Sequence, residues 1–213
     1  MKEWEEEKAK RTRIEYTRRH NERVLEAMIP KLWKETTFDN SDPSINRMAF
    51  SHCLTYAQTF NPATSKSLYL FSRNNGTGKT HLAVCIANYV VRERACRVRF
   101  QKARDLMLDI RKTYSDQGTE SEAGIYNKVL GYDLLILDDV GVDRPSEWLW
   151  ATYWTVVDRR MEAGLPMVVT ANYSLNIPEK DVCLSDRIGP GAVSRLRQIC
   201  GDNVYEFKGK DLR

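Results

Sequence analysis

A chain of 213 residues, 42% hydrophobic and 29% charged, has material for one large domain plus an extension and is too apolar for disorder throughout. Its formal net charge of +4 permits a nucleic-acid partner without arguing for one. No stretch approaches the ~18 apolar residues of a membrane-spanning helix, so no membrane partner is expected. The N-terminus has no apolar core of a secretory signal. Five widely spaced cysteines without a C-x-x-C pair fit reduced thiols in a cytoplasm, and three histidines without ligand spacing argue against a histidine-based metal site.

Residues 1–28 are polar, and acid-to-base pairs recur at i,i+4 spacing: Glu6/Lys10, Glu7/Arg11 and Glu15/Arg19. Each such pair supports an exposed helix by only ~0.2–0.5 kcal/mol. The segment is therefore a solvated helical extension, or else a helix that docks on a partner or is the stump of a longer chain. Pro30 ends it. The expected division is a charged helical extension over 1–35 and one domain over 36–213. Residues 36–44 (TTFDNSDPS) are turn-rich. From Ile45 the apolar positions Ile45, Met48, Ala49, Leu54, Tyr56, Ala57 and Phe60 recur at mostly helical spacing.

Short apolar runs then alternate with helical segments. Strands are predicted at 67–71 (SLYLF), 97–100, 134–138 (LLILD) and 167–170 (MVVT), and helices at 79–92, 103–114 and 146–161. Near-continuous apolar strands are covered on both faces, so the fold class is α/β with a largely parallel central sheet flanked by helices.

Gly76-Thr77-Gly78-Lys79-Thr80 follows the first strand and opens a helix, which is the context of a P-loop. Glycines let the backbone N–H groups close around phosphates at the positive end of a helix. Lys79 is placed to reach the β- and γ-phosphates of ATP, and the Thr80 hydroxyl to hold Mg²⁺. The pattern departs at Arg73, where a P-loop has glycine, and Asn74 and Asn75 follow it. Roughly 60 residues on, four aliphatic residues run into Asp138 and Asp139. At the end of a P-loop sheet strand, Asp138 supports Mg²⁺ and Asp139 polarises the attacking water. The strand 167–170 leads into Asn172, which can bond the γ-phosphate or that water or serve as a turn residue. Arg187, Arg195 and Arg197 lie in a region rich in Gly and Pro; arginine can stabilise a transferring phosphoryl group in cis or from a neighbour.

Together these residues resemble the AAA+ helicase-loader family, comprising the DnaC and DnaI replication proteins and the related IstB transposition ATPases. The marks are TFDN at 37–40, GTGKTHLA at 76–83, DLLILDDVG at 133–141, TAN at 170–172 and SRLRQIC at 194–200. The resemblance implies an AAA+ P-loop ATPase fold with an N-terminal helical extension, using ATP and Mg²⁺. Its nucleotide-binding positions would be Asn75, Gly76, Thr77, Gly78, Lys79, Thr80, His81 and Arg213, the last like a second sensor arginine. It implies Asn172 as the first sensor and Arg195 as an arginine finger acting on the next subunit's ATP, with Arg187 as a competitor. It further implies single-stranded DNA, the replicative DNA helicase and other copies of the chain as partners, the copies meeting at their ATP sites. The DNA positions would be Arg111, Tyr114, Ser146 and Trp148, with core packing as the other role open to Trp148. Two other functions remain open: an IstB-like transposition ATPase, and a nucleotide switch with little hydrolysis.

Overall fold

In the computed structural model, residues 1–44, 46–114, 121–175 and 182–208 are described, except the side chains of residues 2, 3, 6 and 9. Five parallel strands form one sheet in the order β2-β3-β4-β1-β5. These are β1 (Leu68–Phe71), β2 (Val98–Lys102), β3 (Leu134–Val140), β4 (Met167–Ala171) and β5 (Val204–Glu206). The strand residues alternate between two cores. Leu68, Leu70, Ile136 and Val168 face α2 (Arg47–Thr59) and α3 (Lys79–Glu93). Tyr69, Leu135, Leu137 and Val169 face the opposite layer, α4 (Ala103–Lys112), α5 (Glu122–Leu130), α6 (Glu147–Glu162), α7 (Leu184–Ile188) and α8 (Pro190–Cys200). Covering both faces is what makes β1, β3 and β4 read as unbroken apolar runs.

One sequence expectation shifts. The buried stripe of α2 is Ala49, Cys53 and Ala57, at i,i+4 spacing, while Met48 is exposed. Ile45 lies outside the described residues. The Gly/Pro-rich region around the downstream arginines is also helical: Gly189 breaks the chain between α7 and α8, and Pro190 starts α8 at its first turn, where proline loses no hydrogen bond.

The charged helix α1 (Lys2–Glu26) is exposed along most of its length, with ion pairs such as Arg11–Glu7 at 2.7 Å. Its C-terminal end is anchored. Ala27 and Ile29 are buried against the α2–α3 core, and the Phe100 N–H donates to the Ala27 carbonyl at 2.8 Å. Beyond it the chain is held by α3: buried Asn88 donates to the carbonyls of Trp33 (3.1 Å) and Thr36 (2.7 Å), and Arg92 to that of Lys34 (2.8 Å). These bonds set residues 33–36 against the mouth of the P-loop.

Candidate nucleotide-binding site

A cavity of about 370 Å³ opens where the C-terminal ends of β1, β3 and β4 meet the start of α3. Asn75, Gly76, Thr77, Gly78, Lys79, Thr80 and His81 line one side, with Asp139 and Asn172 also on its wall. Gly76 (φ 68°) and Gly78 (φ 92°) take the left-handed backbone that the loop requires, Gly78 as the residue capping α3. Arg73 has no positive φ and is exposed, so this loop closes without a glycine there. The Ser72 hydroxyl accepts from the Asn74 N–H at 3.2 Å, and Lys79 Nζ donates to the Asn74 carbonyl at 3.2 Å.

Across the cavity the β3–β4 register shifts between Leu137 and Val140. Asp139 sits within that irregularity at φ 57°, a left-handed conformation that Asp tolerates better than most residues. Asp138 is buried and Asp139 is half-buried on the cavity wall. The Thr170 hydroxyl donates to Asp138 Oδ1 at 2.7 Å and accepts the Asp139 N–H at 2.9 Å. Burial raises the Asp138 carboxyl above its ordinary pKa; the Thr170 bond opposes this, the Asp139 charge adds to it, and a Thr80 bond opposes it in turn. Thr80 lines the cavity together with Asp139, the chain neighbour of Asp138. Mg²⁺ needs only one or two protein ligands when phosphates and waters supply the rest. Among the described residues no group of three His, Cys, Asp or Glu could hold a metal. Two polar atoms are buried without a partner in this region: Asn172 Oδ1 and Thr77 Oγ1. Such atoms fit a site that a polar ligand completes.

The far wall was not legible as a binding surface. It comprises Trp33, Ser41, Asn46, Phe50, Leu82 and Phe207, which give the cavity an apolar end beside its phosphate end. The TFDN segment was the available signal. Asn40 folds it by accepting the Thr37 N–H at 2.8 Å and donating to the Glu35 carbonyl at 2.6 Å. Ser41 then donates to the Thr37 carbonyl and meets His81 Nε2 at 2.7 Å.

The three downstream arginines differ in what they are free to do. Arg187 is spent on the carbonyls of Gly141 (2.7 Å) and Asp143 (3.0 Å) and lies over the Tyr173 ring. Arg197 donates twice to the Leu175 carbonyl. Among the described residues Arg195 bonds only by Nε, to Asp158, and lies over the Trp154 ring; it does not line the cavity. Arg213 lies outside the described residues.

Arg111, Ser146 and Trp148 line a separate groove of about 360 Å³ together with Arg104 and Arg144. The Arg111 guanidinium stands 4.8 Å from the Trp148 ring centre. Tyr114 is exposed just beyond the end of α4. Ser146 Oγ caps α6 by accepting the Leu149 N–H at 3.2 Å. Trp148 is half-buried and packed in part on the core.

The family described as IstB-like ATP binding protein matches residues 5–192. The replicative helicase loader DnaC of Escherichia coli (strain K12) is 32% identical over 120 residues, 56% of this chain and 47% of that protein. DnaC of Buchnera aphidicola subsp. Acyrthosiphon pisum (strain APS) is 28% identical over 134 residues, 62% of this chain and 53% of that protein. The matched stretch therefore spans about half the length of these curated relatives. The crystal structure of the DnaC helicase loader superposes with a TM-score of 0.68 at 24% identity, over 84% of this chain and 98% of that chain. Replication initiator DnaA, bound to AMPPCP and single-stranded DNA, superposes at 0.66 with 21% identity, over 83% of this chain and 50% of that chain. At these identities the solved structures establish the shared AAA+ P-loop fold. No helix among the described residues is long and apolar enough to cross a membrane.

Proposed function

The chain belongs to the family of IstB-like ATP binding proteins, and from that premise we propose that it is a Mg²⁺-dependent ATPase that binds single-stranded DNA and loads the replicative DNA helicase. One observation carries the hydrolytic part: Lys79, Thr80, Asp139 and Asn172, whose Oδ1 is uncommitted, line one cavity, and Thr170 joins Asp139 to the buried Asp138.

In this reading the N–H groups at the start of α3 cradle the phosphates, and Lys79 turns from the Asn74 carbonyl to the β- and γ-phosphates. Thr80 and Asp138 would hold the Mg²⁺, whose charge would offset that of the transferring phosphoryl group. Asp139 orients and polarises the attacking water. Asn172 holds that water or a γ-phosphate oxygen. The apolar wall of Trp33, Phe50 and Phe207 receives the base. Arg195 supplies positive charge to the ATP of a neighbouring copy. The 32% identity to a protein named as a replicative helicase loader supports the helicase as partner. The groove that holds Arg111 and Trp148, with exposed Tyr114 just beyond the end of α4, combines a phosphate-binding cation with stackable rings, which suits a single strand.

The family match over residues 5–192 favours a second reading, an ATPase that acts with a transposase. A pull-down with both partners present separates the two. ATP-dependent retention of the helicase supports the loader. Retention of the transposase alone replaces it with the second reading.

A further inference from the structure

Trp150, Trp154 and Asp158 recur every four residues on α6 and so share one face of that helix. This face meets Gly189, Gly191 and Arg195 in turn. A Cβ at Gly189 would lie 2.9 Å from the Trp150 ring, and one at Gly191 2.9 Å from the Trp154 ring, so the glycines let both indoles pack directly on backbone. Next along the seam, the Arg195 guanidinium lies 4.6 Å from the Trp154 ring centre, and its Nε donates to Asp158 Oδ1. The Asp158 side chain is 13% exposed and that of Arg195 28%. Among the described residues, neither terminal amino group of Arg195 has an acceptor within the chain.

That arrangement differs from a plain structural clamp. A clamping arginine spends its terminal nitrogens, as Arg187 and Arg197 do. Here the fork is held at its inner edge and on one π-face, while its outer edge remains open. A guanidinium fixed in this way has lost its side-chain freedom before a neighbour arrives, so meeting a phosphate orders less.

We propose that Asp158 and Trp154 are positioning residues that present the terminal amino groups of Arg195 to the nucleotide of a neighbouring copy. The inference rests on the reading of Arg195 as a finger acting in trans. The seam also places Trp150 and Trp154, 37% and 40% exposed, on the surface that the neighbour would meet.

The test uses two populations of the full chain. A recipient, Arg195→Ala, keeps its own phosphate site but lacks the finger. A donor, Asp139→Asn, keeps the finger but does not turn over ATP. Mixing them is expected to restore ATP turnover. A donor that also carries Asp158→Asn is expected to restore at least fivefold less at saturating donor concentration, with KM for ATP unchanged within twofold. A defect of assembly alone would disappear at saturation, whereas a misplaced fork would not. Full rescue by this donor at saturation overturns the positioning role while leaving the trans finger intact. No rescue by the Asp139→Asn donor overturns the trans finger and this inference with it. If Asp158→Asn loses its helical circular dichroism, Asp158→Glu replaces it. That variant keeps the charge but displaces the fork, and is expected to lose at least threefold; undiminished rescue overturns the proposal.

Discussion

The Thr170 side chain on β4 joins two consecutive carboxylate residues of β3 through different atoms. Its hydroxyl donates to Asp138 Oδ1 at 2.7 Å and accepts the Asp139 N–H at 2.9 Å. The Asp139 backbone is left-handed, and the regular β3–β4 ladder is interrupted there, so the hydroxyl replaces a ladder partner. Thr170→Val keeps the shape and removes the hydroxyl. It leaves a buried N–H and a buried carboxylate each one bond short, a cost of about 1–3 kcal/mol. Urea unfolding is expected to show that loss, and ATP turnover is expected to fall at least tenfold with little change in ATP affinity. Unchanged turnover would remove Thr170 from the support of the site.

Lys79→Ala is expected to abolish ATP binding in calorimetry, because it removes the cation facing the β- and γ-phosphates. Asp139→Asn is expected to bind ATP and fail to hydrolyse it. Asparagine suits φ 57° as well as aspartate does, so the variant tests the carboxylate rather than the backbone. Hydrolysis by Asp139→Asn at the wild-type rate would assign the water-activating role to another group.

Asp138 is a buried carboxylate whose folded pKa is raised, chiefly by burial. Such a group binds its proton more tightly folded than unfolded. Stability is therefore highest below its unfolded pKa and declines as pH rises through the folded value. Asp138→Asn can still accept from Thr170 but removes the buried charge. It is expected to stabilise the ligand-free protein by about 0.5–2 kcal/mol at pH 7 while losing Mg²⁺-dependent turnover. The gain over wild type should shrink at pH 4, because a carboxyl raised by burial takes up its proton at a higher pH than an exposed one does. Melting temperatures at the two pH values decide it: an equal gain at both would show that the charge is not the cause.

The parts of this molecule legible in the sequence were those that depend on local pattern. Apolar β3 and β4 and the glycines of the 76–80 loop announce their conformation because burial and left-handed backbone each restrict residue choice. The far wall of the cavity did not announce itself. Trp33, Phe50 and Phe207 come from segments distant in sequence, and only α3, through Asn88 and Arg92, brings the first of them to the site. Resemblance points to Arg195, whereas nothing in the sequence points to its partner Asp158, since an acid on a mixed helix has no signature until its partner helix is placed. Gly189, between α7 and α8, and Gly191, in the first turn of α8, sit against Trp150 and Trp154, a contact that no local pattern announces.

The groove between α4 and the start of α6 gives the last test. Tyr114 is exposed just beyond α4, and Arg111 lies over the Trp148 indole. Arg104 and Arg144 extend the basic lining. Two aromatic rings can each contribute stacking of about 1–3 kcal/mol per base, and each tenfold in affinity corresponds to about 1.4 kcal/mol. A Tyr114→Ala, Trp148→Ala double variant is therefore expected to bind oligothymidine at least tenfold more weakly in fluorescence anisotropy at fixed salt. Its ATP affinity should not change, because neither ring lines the nucleotide cavity. Arg111→Ala should behave differently: a smaller loss, with a weaker dependence of affinity on salt, because a phosphate contact releases a counterion and a stacked ring does not. Because Trp148 packs partly on the core, circular dichroism of the double variant must accompany the titration. If the double variant unfolds, Trp148 acts mainly in the core, and the single Tyr114→Ala variant, expected to lose about fivefold or more, carries the test. If Tyr114→Ala then binds like wild type, the single strand runs over another surface.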